Sequence, residues 1–277
     1  MTAGTGGVVV DAVVIVAMPD EAAPFLDLAG AAPVAASDAG SRSSAAAMSD
    51  AARPDAAMSD AEAEPDTSGT GSVPGTRIVG GAEHMVLTLG GRRIALVRSG
   101  IGFVNASGAV VGALLTYGIV PVISAGSAGG LATSTVVGDV IAGRTYVNTG
   151  ADATAFGYRL GQLPGMPAVY AADPGLLEAT EAAVGHGQNV VAGTIGSSEK
   201  FVTAEPARAL REAFDQILAV DMESAAIAQA CHNHGAPFVA VRAISDLCAP
   251  DGSEFLTHVD DAALRSARVV EAMVAHL

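Results

Sequence analysis

The sequence lacks tryptophan and has little aromatic or basic character. Of its 277 residues, 4% are aromatic and two are cysteine, and 14 Lys and Arg stand against 29 Asp and Glu. The formal net charge of -15 repels phosphate backbones and anionic lipid surfaces, so we expect no nucleic-acid or membrane partner. Cys231 and Cys248 are too few for a disulfide framework and lack the clustered spacing of a zinc site, which suits a reducing cytoplasm.

Long apolar runs are absent as well, because none reaches the roughly 18 to 20 residues that a membrane-spanning helix needs. The stretch VVVDAVVIVAM (8–18) has no basic region before it and no small-residue cleavage site after it, and Asp11 interrupts it. It therefore predicts a buried strand rather than a secretory signal, and we expect a cytoplasmic protein.

Small and aliphatic residues dominate instead. Hydrophobic residues make up 50% of the chain, and 33 residues are glycine. A core built from alanine, valine, leucine and isoleucine lets helices pack closely on a sheet, and this chain is long enough to bury a large one. We therefore predict a single domain over residues 1–277.

One segment departs from this composition. Residues 31–76 are almost entirely Ala, Ser, Asp, Gly, Pro and Thr, and they contain the direct repeat AAMSDA at 46–51 and 56–61. Such a segment buries too little apolar surface to offset its ordering entropy. It predicts a disordered insertion within the domain, with a short alanine-driven helix as the alternative.

Elsewhere, apolar runs alternate with helical patterns. Strands are predicted at 11–18, at two segments within 84–100 joined by Gly90 and Gly91, and at 139–147, 189–197, 217–220 and 237–245. The stretch IVPVISAGSAGG (119–130) predicts a strand that enters a glycine-rich turn. Helices are predicted from Pro19 onward, over 102–118, and near 174–185, 204–214, 222–235 and 259–276.

Strands this apolar are covered on both faces, which favours an α/β fold with a central mixed, mostly parallel twisted sheet flanked by helices. Ligands bind such sheets beyond the carboxyl ends of the strands. Glu21, Glu223 and Asp246 each follow a predicted strand. Three carboxylates in one partly dry cleft could serve as general acid, general base and hydroxyl anchor.

Seven motifs follow one another along the chain: VIVAMPDE, RSGIGFVNA, SAGSAGGLA, VGDV, ADATAFGYRLGQLPG, AVDMESAAIAQACHN and PFVAVRAISD. Together and in this order they resemble the 5'-methylthioadenosine/S-adenosylhomocysteine nucleosidases of the nucleoside phosphorylase superfamily. The resemblance covers nearly the whole chain apart from its first residues and the 31–76 segment. It implies a three-layer, nucleoside phosphorylase-like fold and hydrolysis of the N-glycosidic bond of a 5'-thioadenosine.

The resemblance also implies roles for four residues. Asp246 would protonate adenine N7 as the general acid, and Glu21 would activate water at the anomeric carbon. Glu223 would bind the ribose hydroxyls and stabilise an oxocarbenium-like transition state. Arg242 would hold the water and the acids in register, whereas Asp221, a glutamate in many relatives, is expected to be structural.

Further residues are implied to contact the nucleoside. Phe201 would stack on adenine, the Val202 backbone would read the edge of the base, Met222 would pack on the sugar, and Phe255 would close the site. The other implied contacts are Met18, Ile101, Ser127 and Ser245. The family's site is completed by a second subunit, so a homodimer is expected in which residues 153–164 cover the 5'-thio group of the partner's substrate through Ala153, Phe156, Tyr158 and Pro164.

Several alternatives stay open at this point. They are a hydrolase of another 6-aminopurine nucleoside of the aminodeoxyfutalosine type, a nucleoside phosphorylase, and a nucleoside-binding protein without activity. Related phosphorylases carry an arginine just before the glycine-rich stretch, where this chain has Ser124 and Ala125, which favours hydrolysis. The set Cys231, His232 and His234 resembles a metal cluster but lies at the end of a helix closed by Gly235, so we expect no metal and no cofactor.

Overall fold

The computed structural model describes residues 8–30, 75–183 and 189–277. The predicted insertion at 31–76 therefore lies outside the described residues except for its last two. Among the described helices, none combines the length and the apolar character needed to cross a membrane.

Ten strands of the described chain form one mixed sheet. They are β1 (Ala12–Val16), β2 (Arg77–Val79), β3 (Ala82–Leu89), β4 (Arg92–Arg98), β5 (Val122–Gly130), β6 (Val140–Asn148), β7 (Tyr170–Ala171), β8 (Val190–Ser197), β9 (Ile217–Asp221) and β10 (Phe238–Asp246). The apolar runs predicted as strands are confirmed, whereas the short edge strands β2 and β7 are too brief to leave a periodic pattern.

The sheet closes on itself at one end. Strand β5 pairs with β10 in parallel and with β9 in antiparallel fashion, and β6 and β8 complete the ring between β10 and β9. From β5 the sheet continues outward through β1, β4, β3 and β2. The carboxyl ends of β1, β4, β8, β9 and β10 all reach the neighbourhood of β5, and this convergence places the site.

The prediction that the strand in 119–130 enters a glycine-rich turn is wrong. Residues 124–130 remain extended and are part of β5, which pairs with β1 and β10 first and with β9 through Gly129 and Gly130. Small side chains allow the strand to change partners while other groups approach its backbone closely. At Gly126, where φ is 147°, an added Cβ would lie 2.2 Å from the Glu21 Oε1 atom.

Six α-helices flank the sheet in the described chain: α1 (Pro19–Leu28), α2 (Phe103–Tyr117), α3 (Pro174–Ala182), α4 (Ala204–Ala213), α5 (Ser224–His234) and α6 (Ser253–Val274). Helices α1 and α6 pack together, as do α2 and α5. Helix α5 begins two residues later and ends one residue earlier than predicted. Helix α6 begins at Ser253 rather than 259, because the Asp251 carboxylate accepts a hydrogen bond from the Ser253 amide at 3.0 Å and supports an earlier first turn.

His84 on β3 is a buried polar residue without polar partners. Its side chain is 1% exposed, and neither ring nitrogen has a hydrogen-bond partner among the described residues. The ring stacks on that of Tyr117, with the two ring centroids 5.7 Å apart, and Arg77 is its cross-strand neighbour in the β2–β3 pair. Burial lowers the pKa of His84, and the charge of Arg77 lowers it further. The folded protein therefore holds this imidazole neutral.

We expect His84→Phe to stabilise the fold, by about 1 kcal/mol at pH 8, because the two unpaired nitrogens are removed and the stacking on Tyr117 is kept. Since the pKa of His84 is lower in the folded than in the unfolded chain, native stability is lost as pH falls below about 6.5. The gain should therefore be larger at pH 5 than at pH 8, as measured by urea unfolding. The exposed His276→Phe variant is the control, and an equal gain at both pH values would contradict the explanation.

Candidate active site

A cleft of about 560 Å³, including its open mouth, lies beside β5 where the other strands end. It is lined by Ala17, Met18, Glu21, Ile101, Ser127, Ala128, Gly129, Lys200, Phe201, Val202, Val220, Asp221, Met222, Glu223, Ser245, Asp246 and Phe255. The fold thus brings together three of the four predicted catalytic residues and all predicted substrate contacts outside the 153–164 segment. Arg242 lies beneath the floor of the cleft.

Arg242 is the fully buried cation of the site. Its residue surface is 1% exposed, on the middle of β10. The Nε atom lies 3.0 Å from Asp221 Oδ2, Nη2 lies 3.4 Å from Glu223 Oε2, and Nη1 lies 3.8 Å from Glu21 Oε1. Nη2 also donates to the Ser124 hydroxyl at 2.8 Å. One guanidinium therefore connects three carboxylates from three different elements.

Glu21 is held from both sides by backbone and side-chain donors. Its Oε2 atom accepts hydrogen bonds from the amides of Ala17 and Met18, at 2.8 and 3.2 Å. Its Oε1 atom accepts from the Ser127 amide at 2.8 Å and from the Ser127 hydroxyl at 3.0 Å. This carboxylate is in the first turn of α1, where the helix dipole favours a negative charge.

Glu223 precedes α5 and faces the loop before α2. Its Oε1 atom accepts a hydrogen bond from the Gly102 amide at 3.0 Å. Burial is the largest influence on this carboxyl and raises the pKa of Glu223 to about 7, with Asp221 and Glu21 acting in the same direction and Arg242 and the Gly102 amide opposing them. Arg242 and the three carboxylates around it form a charge ring, in which opposing influences act on the pKa of Glu223.

Asp221 connects this charge ring to neighbouring serine residues. Its carboxylate pairs with Arg242 and accepts hydrogen bonds from the Ser197 and Ser224 hydroxyls and from the Ser224 amide. The last contact also caps the start of α5, directly after Glu223. Through these contacts Asp221 joins the ends of β8 and β9 to the middle of β10.

Asp246 ends β10 in a different environment. Its Oδ2 atom accepts from the Ser245 hydroxyl at 2.9 Å and its Oδ1 atom from the Cys248 amide at 2.9 Å. Cys248 has φ of 57°, an uncommon value for a residue other than glycine, so the backbone bends directly after the end of β10. Burial raises the pKa of Asp246, and Glu254 adds to the increase, while the Cys248 amide and the Ser245 hydroxyl partly oppose it.

Apolar side chains cover the rest of the cleft. Phe201, after β8, and Phe255, in the first turn of α6, meet edge to face with ring centroids 5.6 Å apart. Phe255 also packs with Met18 and Ile101. The cleft therefore has an acidic floor and apolar walls, a combination suited to a small molecule with polar and apolar parts.

The four predicted contact residues of the 153–164 segment do not line this cleft. Phe156 is 82% exposed, Pro164 is exposed and Tyr158 is half-buried, whereas Ala153 is buried. Their predicted contact with a partner's substrate stays a prediction.

Sequence reasoning overlooked the small polar groups that support the charges. Ser197 and Ser224 hold Asp221, Ser124 holds Arg242, and the Gly102 amide holds Glu223. Serines in strands and at helix starts are common, so no local pattern distinguishes these.

The arrangement separates two kinds of carboxyl group. Glu21, Asp221 and Glu223 share one fully buried cation, whereas the contacts of Asp246 in the described chain are with the neutral donors Ser245 and Cys248. An acid and a base can therefore coexist in one cleft near neutral pH.

Known proteins are similar to this chain in sequence and in fold. The family model described as the phosphorylase superfamily matches residues 56–275. A 5'-methylthioadenosine/S-adenosylhomocysteine nucleosidase of Anoxybacillus flavithermus is 42% identical over 195 residues, which are 69% of this chain and 84% of that protein.

Two solved structures have a similar fold. The crystal structure of the Neisseria meningitidis 5'-methylthioadenosine/S-adenosylhomocysteine nucleosidase, in complex with methylthio-immucillin-A, has a TM-score of 0.77 and 31% identity, with 96% of this chain and 99% of that chain covered. Futalosine hydrolase of Helicobacter pylori has a TM-score of 0.76 over 96% of this chain and 97% of its own, but at 22% identity the likeness shows the fold alone.

The resemblance inferred from the seven motifs is thus confirmed by the family model, by the curated relatives and by the fold. The chain belongs to the 5'-methylthioadenosine/S-adenosylhomocysteine nucleosidase family of the phosphorylase superfamily.

Proposed function

We propose that the protein hydrolyses the N-glycosidic bond of 5'-methylthioadenosine and S-adenosylhomocysteine, releasing adenine and the 5-thioribose. The observation that carries this proposal is the division of the cleft's carboxyl groups, with Glu21 and Glu223 bound to Arg242 and Asp246 kept apart from it. Family membership supports the reaction class, and the cleft of apolar walls and acidic floor supports the substrate class.

Asp246 is the general acid in this proposal. Burial raises the pKa of its carboxyl, which favours the protonated form needed for donation to adenine N7. As the bond between the anomeric carbon and N9 breaks, its electron pair moves into the purine, and the new N7 proton makes adenine a neutral leaving group. The backbone turn at Cys248 fixes the direction of the carboxyl.

Glu21 is the base that activates water. Its Oε1 atom is bound by the Ser127 hydroxyl and amide and its Oε2 atom by two amides, so the carboxylate has one fixed orientation. It takes a proton from the water whose oxygen bonds to the anomeric carbon. Fixed geometry of this kind removes much of the entropic cost of bringing water and sugar together.

Glu223 binds the ribose hydroxyls. Its carboxylate lies 3.0 Å from the Gly102 amide and 3.4 Å from Arg242, so it is anchored on one side and lines the cleft on the other. In its ionised form, this carboxylate beside the sugar favours the positive charge that develops on the ring in the transition state. Met222, next to it, packs against the sugar.

Water rather than phosphate is the nucleophile. A phosphate dianion needs unpaired cations, but the guanidinium of Arg242 is matched by three carboxylates, and Arg98 is paired with Glu83. Lys200 is the single basic residue among the cleft's lining, against four acids. A second anion in this cleft would be repelled.

The active unit in this proposal is a homodimer in which residues 153–164 of one subunit cover the 5'-thio group bound by the other. An exposed apolar stripe runs along α2, with Val104 and Leu115 each 82% exposed, and Phe156 is exposed to the same extent. Apolar side chains this exposed indicate a contact surface. Because α2 begins beside Gly102, a partner on this stripe would reach the cleft.

The test of the proposed function is adenine release by the purified chain, followed by chromatography. We expect release from methylthioadenosine and S-adenosylhomocysteine at equal rates with and without phosphate, and little release from inosine or from an aminodeoxyfutalosine-type nucleoside. Release that requires phosphate would identify a phosphorylase, and preference for the futalosine-type nucleoside would identify a different hydrolase. Binding of adenine without any release would identify an inactive binding protein.

Asp246→Asn should lower kcat for methylthioadenosine about 1,000-fold, because an amide cannot transfer a proton to N7. The KM should change little, since Asn keeps the shape of the side chain. The matched control is Asp260→Asn, on the exposed side of α6, which should act as the unchanged chain does. A variant Asp246→Asn with undiminished kcat would exclude Asp246 as the acid.

Val104→Asp should separate the subunits, because it introduces a charge into the proposed contact. Light scattering after gel filtration should then show a monomer, with a raised KM for methylthioadenosine since the partner's cover is lost. Ile78, which is 62% exposed on β2, provides the control Ile78→Asp. An unchanged chain that is itself monomeric and fully active at micromolar concentration would contradict the proposed dimer.

A further inference from the structure

A direct contact joins the end of β10 to the first turn of α6. The backbone amide of Leu247, the residue after Asp246, donates a hydrogen bond to Glu254 Oε2 at 2.8 Å. Only the short loop 247–252 separates the strand from the helix. The Glu254 side chain therefore bridges the two ends of this loop.

The helix turn that carries Glu254 also carries the cover of the cleft. Phe255, the next residue, is 7% exposed and meets Phe201 edge to face. It packs in one apolar cluster with Met18 and Val259. When the first turn of α6 is in place, Phe255 covers the site and Glu254 lies against the strand end.

The strand end holds the proposed general acid. Asp246 is bound on one oxygen by the Cys248 amide and on the other by the Ser245 hydroxyl, so its orientation depends on the backbone at 247 and 248. The Glu254 carboxylate fixes that backbone one residue from Asp246 and places a negative charge nearby. This charge acts to keep the Asp246 carboxyl protonated.

We propose that Glu254 is a positioning residue that couples closure of the cleft by Phe255 to the orientation and protonation of Asp246. The proposal rests on the nucleosidase function proposed above. With the helix turn docked, the acid is oriented and held in its protonated form; with the turn released, Asp246 loses both the fixed backbone and the neighbouring charge.

Other ionisable groups near Asp246 act differently. Cys248 stays neutral, because burial raises the pKa of its thiol to about 12. Asp221 is committed to Arg242, Arg211 on α4 donates to the Leu131 carbonyl, and Lys200 lies in the loop after β8. Glu254, by contrast, is an acidic residue near Asp246 that lies in the same helix turn as Phe255, the residue that covers the cleft.

Two substitutions separate the contact from the charge. Glu254→Gln keeps an oxygen acceptor for the Leu247 amide and removes the charge, whereas Glu254→Ala removes both. Asp251→Asn is the matched control, because Asp251 supports the same helix start through Ser253 without contacting the strand end. The measurements are the pH profile of kcat/KM for methylthioadenosine, the KM, and hydrogen exchange of the Leu247 amide.

For Glu254→Gln we expect the alkaline limb of the profile to move to lower pH, because loss of the negative charge lowers the pKa of Asp246, with kcat/KM on that limb about two- to fivefold lower. For Glu254→Ala we expect the same movement, an increase in KM of about threefold to tenfold, and faster exchange of the Leu247 amide. Asp251→Asn should leave the profile in place.

The proposal would be overturned by a profile and KM unchanged in both Glu254 variants, or by an equal movement of the profile in Asp251→Asn. Faster Leu247 exchange without any kinetic change would show a contact that is only structural, which also overturns it. Failure of the unchanged chain to release adenine is a separate result, since it does not depend on Glu254 and would refute the nucleosidase function itself.

Discussion

The structure depends on one buried guanidinium. Arg242 is placed in the middle of β10, away from water, and it must be neutralised there because an unpaired charge in the interior is strongly destabilising. Its partners come from the start of α1, from the end of β9 and from the residue before α5. Neutralising this one cation therefore determines how the end of β9 and the starts of two helices meet on β10.

The same constraint explains the unusual composition of β5. Glu21 approaches β5 so closely that any side chain at Gly126 would overlap its carboxylate, and Gly129 and Gly130 face side chains from the chain just after β10. Ser124 and Ser127 supply hydroxyls to Arg242 and Glu21. The run SAGSAGG is thus small where charges must approach it and polar where they must be bound, and it stays extended because strands lie on both of its sides.

The charge ring also keeps the acid distinct from the base. Three carboxylates share one cation, while Asp246 lies past the end of the shared network, in a bent segment with neutral hydrogen-bond donors. Burial favours the protonated carboxyl at Asp246, which has no cation among its hydrogen-bond partners in the described chain, whereas at Glu223 the guanidinium of Arg242 opposes the effect of burial. The fold obtains two chemical roles from one type of side chain by placing it in two environments.

The sequence by itself determined the strands, most helix boundaries, the family and most of the residues that line the cleft, because apolar periodicity is local and the seven motifs stand in order along the chain. The tertiary structure alone decided that β5 continues through its glycines, that Ser197, Ser224 and the Gly102 amide support the charges, and that Glu254 reaches back to Leu247. The physical reason is that these contacts join residues that are distant in sequence or use common side chains and backbone groups. These groups support the charges only because the closed sheet places them around Arg242 and Asp246.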